Sequence, residues 1–116
     1  MLVFVEWFNR VWKGPPNAME AEMGKPVPDP AKIAAWSREM AGWLDLFEEM
    51  LAGRDHLMGE FSAADCAAFP FVKYALIHPE DDPYLFHKIL VDHQPLGDGH
   101  PRVEAWIRRV DRRPRA

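Results

Sequence analysis

The sequence predicts an all-α protein, a bundle of about four to six helices packed around one central buried helix near residues 62–77. Three observations carry that class. No segment alternates apolar and polar residues between turn clusters, so half-buried strands have no candidate. Between Asp29 and Gly53, the residues Ile33, Trp36, Met40, Leu44, Phe47 and Leu51 step by three or four, which lines them along one helix face. From Ser62 to Ile77 only Asp65 and Lys73 are charged, so that stretch reads as a helix surrounded by others. The length of 116 residues suits a single domain spanning 1–116, which buries about two-thirds of the surface its unfolded chain exposes.

The first element covers residues 2 to 13 and is apolar over most of its circumference. Only Glu6, Asn9, Arg10 and Lys13 are polar, and Glu6 and Arg10 are spaced to pair across one turn. The "GPP" at 14–16 breaks or bends this helix because proline lacks the amide that would continue the ladder. A shorter stretch resumes at Pro16 and reaches about Met23, and "GKPVPDP" is a stiff connection to the long helix. There Asp29 is placed to cap the first turn, Pro30 suits the first helical position, and Gly53 can take the left-handed conformation that ends a helix.

"FSAADCAAFPF" at 61–71 concentrates special residues. Ser62 and Asp65 have capping-box spacing, in which each side chain accepts from the other residue's amide. Phe61 and Cys66 fall where a hydrophobic staple closes a helix start, so Cys66 is expected to be a small buried apolar residue. Pro70 should bend the helix. Beyond it, "PEDDPYLFHKILVDHQPLGDGHP" at 79–101 offers one short helix, around Tyr84 to Val91. A last helix starts near Pro101 with Val103, Trp106, Ile107 and Val110 on one face.

Composition limits the chemistry. One cysteine forms no internal disulfide, and a reducing, cytoplasmic setting fits it. His78, His87, His93 and His100 with Asp81, Asp82, Asp92 and Asp98 make no zinc spacing and read as a solvated loop, so no metal is expected. The opening "MLVFVEWF" carries Glu6 and lacks a basic leader, which argues against a signal peptide or membrane span. A net charge of -4 argues against general nucleic-acid binding. Arg108, Arg109, Arg112 and Arg113 complement the negative end of the last helix. Glu39, Asp45, Glu48 and Glu49 read as the solvated face of the long one. No residue reads as a nucleophile or base, so no catalytic residue is assigned.

A central helix opening "FSAADCAAFP", preceded by "EEMLAGRDHLMGE" and followed by "HPRVEAWIRRVDRRP", resembles the C-terminal helical domain of the glutathione S-transferase family. "VEWFNRVW" is similar to that domain's first helix, with Trp7 where tryptophan is common. The resemblance spans nearly the whole chain and implies a folding role for Ser62 and Asp65. It also implies a pocket for an apolar co-substrate that takes side chains from the first helix, here Phe4, Phe8, Val11 and Trp12. The competing reading of those four is core or interface packing.

In that family a thioredoxin-like N-terminal domain supplies the glutathione site and the catalytic residue, and no βαβ pattern in this chain corresponds to it. Two readings follow. The chain is the co-substrate-binding half of a glutathione transferase-like protein, inactive alone, with glutathione as co-substrate of the full-length protein and no cofactor of its own. The alternative is a non-enzymatic interaction or assembly module of the same fold. The apolar excess of Leu2, Val3, Phe4, Val5, Trp7, Phe8, Val11 and Trp12 predicts a surface for the thioredoxin-like domain, and the chain by itself is expected to cover it as a homodimer or larger assembly through its first two helices.

Overall fold

A computed structural model describes residues 2–78, 81–94 and 96–113. Pro79 and Pro114, which bound the loop region and the closing motif in the sequence, lie outside the described residues, as does the side chain of Leu2. The order is α1 (Leu2–Trp7), α2 (Gly14–Met23), α3 (Pro30–Met50), α4 (Ala63–Val72), α5 (Leu85–His93) and α6 (Pro101–Asp111). Among the described residues there is no strand. The all-α bundle expected from the periodicity is the fold observed.

The first helix does not simply run to the proline pair. α1 widens into a π-helical turn, Phe8–Trp12, whose last amide bond is Lys13 N to Phe8 O at 3.2 Å. Pro15 and Pro16 then supply no amide, and the ladder restarts when Asn17 N donates to Lys13 O at 3.0 Å. The wide turn puts Phe8 and Trp12 face to face, with ring centroids 4.5 Å apart and planes 12° from parallel. Both are buried in the main core with Met40, Leu44 and Phe47 of α3.

α3 begins as the sequence indicates: the Asp29 carboxylate accepts from Ala31 N at 2.9 Å, with Pro30 in the first turn. Gly53 lies three residues past the last helical residue with φ +72°, so it completes the turn out of the helix. α6 buries Val103, Trp106, Ile107 and Val110, the four residues its spacing picks out. α5 runs slightly longer than expected, to His93, and buries Ile89 and Leu90.

Two expectations for α4 are corrected. Cys66 is exposed, not buried. Asp65 faces fully inward, toward the Trp106 indole, and the next residue, about 100° around the helix, faces out. Phe61 therefore closes no staple with Cys66; its ring meets His56 edge-on at 5.4 Å and carries the Arg113 guanidinium at 3.6 Å. Nor is α4 covered on all sides, because Ala63, Cys66 and Pro70 form an exposed strip opposite the buried Ala64, Asp65, Ala68, Phe69 and Val72. That placement suits Pro70: the carbonyl of Cys66, which loses an amide partner to the proline, lies on the side that water reaches.

Candidate functional site: an apolar groove beside the first helix

Where α1 crosses α3 and the loop after it, the bundle leaves an open groove of about 400 Å³. It is lined by Val3, Phe4, Trp7, Leu46, Met50 and Met58, none of which carries a charge. Its geometry follows from helical periodicity. Phe4 and Trp7 are one turn apart on α1, and Leu46 and Met50 one turn apart on α3, so two apolar edges face across the groove. Trp7 is held edge-on against Trp43, centroids 5.4 Å apart at 88°, which orients the indole. Val3 is 80 % exposed at the rim.

The loop from Leu51 to Phe61 that delivers Met58 is pinned by polar contacts. Asp65, with no exposed surface, accepts from Leu57 N at 3.2 Å, from Ser62 N at 2.9 Å and from the Trp106 indole Nε1 at 2.7 Å. Ser62 Oγ also accepts from Ala64 N at 3.3 Å, beside the reciprocal capping box that Ser62 and Asp65 form. Arg109 donates to the Asp55 carbonyl at 2.5 Å from α6. The groove wall thus rests on the helix cap rather than on apolar packing alone.

The family model for the glutathione S-transferase C-terminal domain matches residues 6–109. The chain belongs to that family. Comparison with curated proteins and with solved structures gives no significant match.

In this glutathione S-transferase C-terminal domain the four candidate pocket residues separate. Phe4 borders the groove. Phe8 and Trp12 are 0 % and 2 % exposed and stack in the aromatic core, while Val11 faces outward at 43 %. The wide turn after Trp7 is the reason, since it rotates the residues that follow out of the register a regular helix would keep. Leu46, Met50 and Met58 went unassigned in the sequence, and Val3 and Trp7 were placed only in the apolar excess that predicts a partner surface. Trp7 and Met50 carried a usable signal, as apolar residues beside rather than within the core stripes.

The histidines and aspartates of the later segment are also distributed. His87 Nδ1 meets Asp82 Oδ2 at 2.6 Å, His93 Nδ1 meets Ser37 Oγ at 3.0 Å, and His100 Nε2 meets Asp45 Oδ1 at 2.6 Å. Among the described residues no three His, Cys, Asp or Glu side chains are grouped to hold a metal ion. His87 lies on a second, polar cleft of about 270 Å³ with Tyr74, Asp82 and Lys88. There the Tyr84 amide, and then the His87 hydrogen bond, hold the Asp82 carboxyl below its usual range despite partial burial; burial and the Asp82 charge push the Tyr74 phenol up. Among the described residues no helix is long and apolar enough to cross a membrane.

Proposed function

We propose that this domain is the co-substrate-binding half of a glutathione transferase-like enzyme, in which a thioredoxin-like domain holds glutathione and attacks an apolar electrophile with its thiolate. The observation that supports this reading is the groove. It is open and free of charge, and it is walled by an indole, a phenyl ring and two thioethers, side chains that desolvate an apolar molecule at little cost. The domain contributes shape and dryness to the reaction, and the thiolate chemistry belongs to the partner domain. A cytoplasmic protein fits this role.

The test is direct binding followed by reconstitution. A small nitroaryl halide should quench the fluorescence of Trp7, and Met50→Lys, which places a charge in the groove, should abolish that quenching while Val11→Ala leaves it. Glutathione should give no binding heat with the domain alone. Joined to a thioredoxin-like domain, the wild-type chain should support glutathione conjugation and Met50→Lys should raise KM for the electrophile. Equal quenching by wild type and Met50→Lys would sink the groove as the binding site.

The rival reading, an assembly module without enzymatic activity, is favoured by Val3 and Val11, exposed at 80 % and 43 %. Both fit self-association through the first helix, which buries apolar area without chemistry. Sedimentation separates the outcomes: Val3→Glu should convert a dimer to monomer if α1 is the contact.

A further inference from the structure

α6 starts without a side-chain cap of its own, because its N-cap residue is His100. The cap comes from another helix. Glu48 of α3, only 13 % exposed, accepts from Arg102 N at 3.0 and 3.1 Å and from Val103 N at 3.0 Å. Beside this cap the His100 ring spans two acceptors. Nδ1 contacts the Leu96 carbonyl, and Nε2 lies 2.6 Å from Asp45 Oδ1 on α3. A carbonyl and a carboxylate can only accept, so each needs an N–H, and an imidazole carries two N–H groups only when protonated.

We propose that His100 is a proton-operated pin: as an imidazolium it ties the segment before α6 to α3, and loss of its proton to solvent as pH rises frees one tie and loosens α6 on α3. The charged groups that face the ring are Asp45 and Glu48, both on α3. From α6, Arg102 is engaged with Glu48 at 3.8 Å; the segment before the helix contributes the Leu96 carbonyl. Burial by itself pushes the imidazole down, but the Leu96 and Asp45 hydrogen bonds and the two carboxylate charges outweigh it and hold the ring above its ordinary range. The pin has reach beyond its own junction. α6 also carries Trp106, whose indole bonds Asp65 in the cap of α4, so loosening α6 slackens the support of the groove loop.

The protonation state is read on the wild-type chain by nitrogen NMR of the histidine rings. Both ring nitrogens of His100 should stay protonated to a higher pH than those of an unstructured histidine peptide, and the signal should then collapse to a single tautomer. A ring that loses its proton at or below the pH of the unstructured peptide overturns the proposal. The mechanical part is read by denaturation midpoints against pH for wild type, His100→Gln and Asp45→Asn. A raised folded-state pKa gives stability that is complete below the unfolded histidine value of about 6.5 and is lost as pH climbs through the folded value. The advantage of wild type over both variants should therefore shrink across that window, and an advantage independent of pH overturns the pin. If neither variant folds, the test is Val103 amide exchange in wild type: protection lost in step with the His100 titration supports the pin, and protection unchanged through it overturns it.

Discussion

The indole of Trp106 donates to Asp65 Oδ1 across 2.7 Å, joining the last helix to the cap of the fourth in the interior of the bundle. Trp106 is 1 % exposed and Asp65 fully buried. A buried carboxylate is tolerable only when its oxygens are occupied, and here Leu57 N and Ser62 N take the remaining positions. One aspartate therefore caps a helix, anchors a loop and fixes the angle of α6.

Removing that aspartate should cost more than removing its capping partner. Ser62→Ala leaves a helix-end amide unpaired and should cost about 1 kcal/mol, whereas Asp65→Ala strands buried donors on three segments and should cost about 3 kcal/mol. Trp106→Phe combined with Asp65→Ala should show a coupling of about 1 kcal/mol in urea unfolding. Strict additivity would remove the inter-helix bond from the energetics.

Glu48 is the second remote cap. Glu48→Ala should destabilise by about 1 kcal/mol and expose the amides of Arg102 and Val103 to exchange. Glu48→Gln keeps an acceptor oxygen and should recover most of the loss. If Gln behaves like Ala, the charge rather than the hydrogen bond is what α6 requires.

Cys66 should react with a thiol reagent in native buffer at a rate close to that of the unfolded chain. Its exposure removes the barrier that a buried thiol would present. Reaction only under denaturing conditions would restore the staple in which Cys66 packs under Phe61.

Acid should weaken the contact between α5 and the segment before it. Asp82, held below its usual range first by the Tyr84 amide and also by His87, has a depressed folded-state pKa. Its contribution is present above the unfolded value of about 3.9 and is lost as pH falls through the folded one. Asp82→Asn should flatten that acid limb. Unfolding curves for wild type and variant that stay parallel below pH 4 would contradict it.

What the residues determined on their own was local. Asp29 and Pro30 start α3, Gly53 turns the chain out of it, Ser62 and Asp65 form their box, and Val103, Trp106, Ile107 and Val110 face the core. Each depends on contacts within a few residues or on helical period, and both are visible along a chain. Tertiary structure decided the rest. Whether Cys66 faced in or out depended on which way Asp65 turned, and Trp106, forty-one residues away, set that. Glu48 looks like the solvated face of a helix until α6 arrives across fifty-four residues and half-buries it, and Asp45, which does stay on that exposed face, meets His100 across fifty-five. The groove had no signature in the sequence because a concave surface belongs to no single element. It exists where α1, α3 and the loop carrying Met58 stand apart, and a void between helices is set by their relative placement.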